Sequence, residues 1–184
     1  SGEYVPAIKS LDTDNIVIYA GSFSKVISPG MRVGWCVAPS AIIQKMVVCK
    51  QGQDVHTNIW SQMVAYEFVT KYDFDAHLEK LRNLYSKKAQ LMMSLLDEHL
   101  APYVTYDKID GGLFIMCKLP DNIDMMKFCK EAVLRKVCVV PGNAFLADEN
   151  EVSHSFRVNF STPTDEQLVK GVKILGELVK ELCE

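Results

Sequence analysis

The chain has 184 residues, with 20 Lys and Arg against 23 Asp and Glu and a formal net charge of −3. Hydrophobic residues make up 48% and charged residues 23%, the balance of a globular protein rather than a disordered or fibrous one. No Lys/Arg block offers a nucleic-acid surface, no apolar run approaches the roughly 20 residues that span a bilayer, and the polar start lacks a signal-peptide core. The expectation is a soluble, cytoplasmic protein without nucleic-acid or membrane partners. At about 150 residues per domain, the length allows one domain, or one and a piece.

The first forty residues read as strand, loop, strand. Ile16 to Ala20 is a short apolar run of the kind buried on both faces of a sheet. A loop rich in Gly, Ser and Pro follows from Gly21 to Gly30, then a second strand from Arg32 to Ala38. Ser40 reads as the N-cap of a helix over Ala41 to Lys50, and a second helix runs from about Ile59 to Thr70. The clearest helix spans about Asp73 to His99. Its apolar positions Phe74, Leu78, Leu81, Tyr85, Ala89, Met92 and Leu96 follow a 3.6-residue period. At 1.5 Å per residue such a helix is about 40 Å long, enough to bridge two structural units.

Beyond Pro102 the pattern turns to short strands: Tyr103 to Tyr106 and Gly112 to Lys118, with Asp110-Gly111 as the turn. A helix over Asp124 to Lys136 and a strand over Val137 to Val140 come next. Ser155 to Ser161 alternates, with Phe156, Val158 and Phe160 on one face and Arg157 and Asn159 on the other. Thr164 and Gln167 form a capping box for a last helix whose stripe is Leu168, Val172, Leu175, Val179 and Leu182. The second half thus reads as an α+β unit with helices on an antiparallel or mixed sheet.

Six cysteines are scattered singly with no CxxC pair, which predicts buried or half-buried free thiols rather than disulfides. His56, His77, His99 and His154 are equally dispersed, and no metal site is expected. Trp35, Phe114 and Phe145 read as core or pocket wall.

The stretch that carries chemistry is Gly21-Ser22-Phe23-Ser24-Lys25 through Pro29-Gly30-Met31-Arg32-Val33-Gly34-Trp35. It places two hydroxyls, a lysine and an arginine on one loop between two strands. Hydroxyls and a guanidinium suit a phosphate. A partly desolvated lysine beside a cation has a more nucleophilic amine. A phosphate subsite beside such an amine suggests a phosphorylated aldehyde held as a Schiff base.

This string resembles the cofactor-lysine segment of fold-type I (class I) pyridoxal-phosphate-dependent aminotransferases, nearest the 2-aminoadipate, kynurenine and broad amino-acid subgroup. Gly111 to Phe114, Val139 to Phe145 and Ser155 to Ser161 resemble further stretches of that family in the expected order. The resemblance implies an α/β fold and pyridoxal 5'-phosphate as cofactor. Lys25 would be the cofactor lysine and catalytic group; Ser22, Ser24 and Arg32 would bind the phosphate, and Arg157 the substrate α-carboxylate. It implies transfer of an amino group between an amino acid and a 2-oxo acid, in a homodimer. His56 and Asn58 would then either reach a partner subunit's site or serve the local loop.

The family is roughly twice this length. The segment before the lysine strand, which carries an aspartate for the pyridine nitrogen and a ring that stacks on the cofactor, has no counterpart here. The chain therefore reads as a C-terminal half: residues 1–72 the end of the large cofactor-binding domain, 73–100 an interdomain helix, and 101–184 the small domain. Alone, it is expected to bind cofactor weakly and turn over nothing. The rival reading is the aminotransferase-like ligand-sensing domain of a bacterial transcriptional regulator, which carries a similar lysine loop.

Overall fold

Phe156, Val158 and Phe160 are all buried, as their spacing of two predicts, and the strand that carries them organises one half of the molecule. The computed structural model describes residues 5–148 and 151–184. Its contacts divide into two compact units within one long helix, between Leu81 and Arg82.

In the unit that ends at Leu81, strands β1 (Tyr19–Ser22) and β2 (Gly34–Val37) pair antiparallel, with Tyr19 opposite Val37 and Ser22 opposite Gly34. The strand expected over Ile16 to Ala20 starts three residues later. The reason lies in Asp12, whose carboxylate accepts hydrogen bonds from the amides of Ile16 and Val17, each at 3.0 Å, and so takes them from any ladder. Nor is the strand buried on both faces: three of its four residues are exposed, as is Ile18 before it. Val33 and Ala65 are the buried apolar residues of this unit, so the hairpin has little covering it among the described residues. β2 begins at Gly34 rather than Arg32 because Arg32 closes a 3-10 turn, Pro29–Met31, with φ of 55°.

Helix α1 (Ser40–Gln53) is capped by Pro39 without a side-chain bond, so Ser40 is its first residue and not its N-cap. Helix α2 (Ile59–Lys71) is capped by Asn58, whose Oδ1 accepts from the Ser61 amide at 3.1 Å. Both leave large apolar side chains exposed, among them Met46, Val47, Val48, Trp60 and Met63. Helix α3 (Phe74–His99) follows the predicted period; Met92, Leu95 and Leu96 on it are buried.

From Arg82 onward, β3 (Thr105–Tyr106), β4 (Phe114–Lys118), β5 (Val140–Pro141) and β6 (Ser155–Asn159) form an antiparallel sheet in the order β3-β4-β6-β5. Ile115 and Cys117 of β4 join Phe156 and Val158 of β6 in one apolar cluster with residues of α3, of α4 (Met125–Leu134) and of α5 (Asp165–Cys183). The strands are shorter than expected, for local reasons. The amides of Tyr103 and Val104 bond back to the Leu100 carbonyl, each at 3.0 Å, and the Val137 amide to that of Ala132 at 2.9 Å, so helix-end turns consume them. At the turn before β4, Gly112 has φ of 88°, and pairing starts at Phe114. The capping box of α5 forms with both arms. The Tyr106 hydroxyl donates to the Asp97 carboxylate at 2.7 Å; burial, with that carboxylate, holds it protonated well above the usual phenol range.

All six cysteines are free. Burial pushes the Cys117 thiol up to about 12, and Cys36, Cys129 and Cys183 are half-buried, but Cys49 and Cys138 are exposed, against expectation. Among the described residues no helix is long and apolar enough to cross a membrane.

Phe156 is fully buried against Phe128, ring centroids 5.0 Å apart. Phe156→Ala is therefore expected to destabilise this unit by about 3–5 kcal/mol. Thr164→Ala, which removes one arm of the capping box, should cost about 1 kcal/mol. Urea unfolding followed by circular dichroism checks both, and equal effects would contradict the assignment of the core.

Candidate functional site

The loop between β1 and β2 is tied down by one carbonyl. The oxygen of Phe23 accepts from the amides of Val26, Ile27 and Ser28 at 3.3, 2.8 and 3.2 Å, while the Phe23 amide donates to the Val33 carbonyl at 3.1 Å. Ser22 caps the 3-10 turn Phe23–Lys25: its Oγ accepts from the Ser24 amide at 3.0 Å and donates to Ser24 Oγ at 2.8 Å. Across the hairpin, Arg32 holds its left-handed backbone, a conformation that costs a non-glycine residue roughly 1–2 kcal/mol, and its Nη1 donates to the Pro29 carbonyl at 3.2 Å. Because Ser22 pairs with Gly34, the residues that follow the one and precede the other lie at the same closed end of the hairpin. Ser22, Ser24, Lys25 and Arg32 are thus gathered on one small loop. Lys25 is exposed, where a partly desolvated amine was expected; the described residues near it do not cover it.

Trp35 is exposed rather than core. Its ring lies flat over Gly21, where a Cβ would come within 2.2 Å of a ring carbon, and it meets Tyr19 edge-on at 4.8 Å. Only glycine leaves room for that ring.

Arg157 lies on β6, opposite Met116 of β4 and Val140 of β5. Burial of Phe156 and Val158 on one face directs Arg157 to the other. There its guanidinium carbon stands 4.1 Å from the ring centre of Phe114 and 4.8 Å from that of Phe145. Two aromatic faces on one guanidinium stabilise the cation and leave its in-plane N–H donors for a ligand. Among the described residues no carboxylate forms an ion pair with it. Phe145 is delivered by the 3-10 turn Gly142–Phe145. A Cβ on Gly142 would stand 2.6 Å from the Ser155 carbonyl oxygen, so the turn seats directly against the start of β6. Within this turn the Asn143 side-chain oxygen is buried without a partner, while Nδ2 donates to the Glu151 carbonyl at 3.2 Å.

Reading the sequence placed Phe114 and Phe145 as core or wall and missed their stacking on Arg157. The signal available was that all three are on or beside predicted strands of one sheet. His56 Nδ1 lies 3.0 Å from the Thr57 carbonyl and Asn58 caps α2.

Comparison with known proteins decides the family. Residues 2–175 match the profile described as "Aminotransferase class I and II". The chain belongs to the class I and II aminotransferase family. It is 37% identical, over 98% of its length, to aromatic-amino-acid aminotransferase 1 of Thermococcus litoralis, of which it covers 43%. The solved structure of Pyrococcus horikoshii kynurenine aminotransferase, in complex with PMP, superposes with a TM-score of 0.94 at 37% identity, covering all of this chain and 45% of that one. A third relative is the HTH-type transcriptional regulator YdfD of Bacillus subtilis, 31% identical over 96% of this chain and 36% of the regulator. The chain therefore spans less than half the length of these relatives, and its fold is that of fold-type I aminotransferases.

The segment entering β1 offers a pH test. Lys9 Nζ donates to Asp12 at 2.7 Å, and this bond, with the Val17 and Ile16 amides, lowers the Asp12 carboxyl from 3.8 to about 2. A depressed carboxyl contributes stability above its unfolded value, lost as pH falls through the folded one. The local structure should hold at pH 4 and loosen towards pH 2. A carboxyl titration by NMR should place the midpoint near 2, and Lys9→Met should raise it; an unmoved midpoint would remove lysine from the account.

Proposed function

We propose that the whole polypeptide to which these residues belong is a pyridoxal 5'-phosphate-dependent aminotransferase, moving an amino group between an amino acid and a 2-oxo acid. The observation that carries this is the clustering of Ser22, Ser24, Lys25 and Arg32 on one hydrogen-bonded loop. That donor set fits the cofactor. Two adjacent hydroxyls and a guanidinium suit its phosphate, and an exposed primary amine on the same turn suits its aldehyde.

In this reading Ser22, Ser24 and Arg32 hold the phosphate and Lys25 the aldehyde carbon. Arg157, its faces covered by Phe114 and Phe145, grips the substrate α-carboxylate through two in-plane N–H bonds and so orients the Cα–H bond. Lys25 Nζ would act as the base that takes the proton from Cα and as the acid that delivers it to the carbon derived from the cofactor's aldehyde. When bound, the cofactor supplies an electron sink for the charge left on Cα. Residues 1–72 then belong to the large cofactor-binding domain, 73–100 to the helix between domains and 101–184 to the small domain. The enzyme works in the cytoplasm as a homodimer.

The match to a transcriptional regulator supports a second reading, in which the same loop binds cofactor to sense a ligand. A winged-helix sequence upstream would favour the regulator, and steady-state transamination the enzyme.

Borohydride reduction of the cofactor-loaded polypeptide followed by peptide mapping should find the adduct on Lys25, and Lys25→Ala should lower turnover by about 10²–10⁴-fold. An adduct on another lysine would reject the assignment. Arg157→Lys should raise KM for α-carboxylate substrates by roughly 10–100-fold, from the loss of charge-assisted bonds. Unchanged KM would remove Arg157 from substrate binding.

A further inference from the structure

The peptide unit between Val26 and Ile27, one residue beyond Lys25, is held at both ends. Its N–H, that of Ile27, donates to the Phe23 carbonyl at 2.8 Å. Its carbonyl, that of Val26, lies 2.7 Å from Nε2 of His77, a residue of α3 placed 51 positions further along the chain. A carbonyl only accepts, so Nε2 of His77 carries the proton and donates, whichever form the rest of the ring takes. The ring itself is confined: Phe68 of α2 meets it edge-on at 5.0 Å, and Phe74 of α3 stacks near-parallel at 6.3 Å. The helical turn bearing it is fixed as well, since Asp73 accepts the Ala76 amide on its side chain at 2.9 Å and the His77 amide on its carbonyl at 3.1 Å.

We infer that His77 is a positioning residue for Lys25: its imidazole N–H locks the Val26–Ile27 peptide and thereby fixes the direction in which the Lys25 side chain leaves the loop. The turn Phe23–Lys25 has three residues and one carbonyl anchoring it from within. Turning the Val26–Ile27 peptide would break the Ile27 bond to Phe23 and release the C-terminal end of the turn that carries Lys25. The bond from α3 opposes that rotation from outside the loop. For a group that must meet a reacting carbon at close range, a misplacement of about 1 Å can cost 10²-fold in rate. The bond reaches the loop from a different secondary element, so it holds the loop whether or not a ligand fills it. This inference rests on the reading of Lys25 as the reacting amine, but the order of the loop does not.

Three variants of the intact polypeptide test it. His77→Phe keeps a ring between Phe68 and Phe74 and removes the donor; His77→Gln offers an N–H at a similar reach. Amide hydrogen exchange, without cofactor, should show Ile27 and Ser28 exchanging about 10-fold faster in His77→Phe and near wild type in His77→Gln. With cofactor and substrate, His77→Phe should lower kcat by about 10-fold with KM little changed, and His77→Gln should restore most of it. Unchanged exchange in His77→Phe, or a glutamine variant no better than the phenylalanine one, overturns the inference. The third variant, Lys25→Ala, separates the two readings. If it retains turnover, the assignment of Lys25 fails while the exchange result still decides whether His77 orders the loop.

Discussion

Burial of Phe156 and Val158, and of Phe160 just beyond the strand, fixes the register of β6, and with it the direction of Arg157. Side chains on a strand alternate, so a slip of one residue would send both rings to the open face and the guanidinium into the core. The core forbids this, because Phe156 packs on Phe128 and joins the cluster formed with α3, α4 and α5. An arginine held on the opposite face is consequently as well placed as the core is well packed. Phe114 and Phe145 then act on an already directed side chain and restrict which way its plane turns.

The lysine loop is specified differently. Neither Lys25 nor Arg32 is buried, and of the residues from Gly21 to Gly34 only Val33 is. Order here comes from hydrogen bonds with few alternatives: three amides on the Phe23 carbonyl, the Ser22 cap, the Arg32 guanidinium on the Pro29 carbonyl and His77 on the Val26 carbonyl. Each is worth on the order of 1 kcal/mol, and their value lies in acting on the same few peptide units.

The sequence disclosed what depends on periodicity and on local capping. The stripe of α3, the alternation of β6, the Thr164–Gln167 box and the grouping of Ser22, Ser24, Lys25 and Arg32 were all legible, since each is set by residues within a few positions of one another. Strand ends were not, because they turn on which acceptor captures an amide. Asp12 takes those of Ile16 and Val17, and helix-end carbonyls take those of Tyr103, Val104 and Val137. The stacking on Arg157 and the bond from His77 were hidden for a further reason. They join residues tens of positions apart, and neither an arginine in a strand nor a histidine on a helix declares its partner.

The two units also differ in what encloses them, and this bears on how the lysine loop and the strand bearing Arg157 each keep their shape. From Arg82 onward a continuous apolar cluster lies beneath the sheet, so the Arg157 subsite stands on elements with a core of their own. In the unit ending at Leu81, apolar side chains of α1 and α2 are exposed among the described residues, a pattern suited to helices with further protein against them. Covering those faces would lower the local dielectric around the loop and strengthen every bond in it, that of His77 included. The geometry of the lysine loop is therefore set by hydrogen bonds, its own and that from His77, rather than by burial.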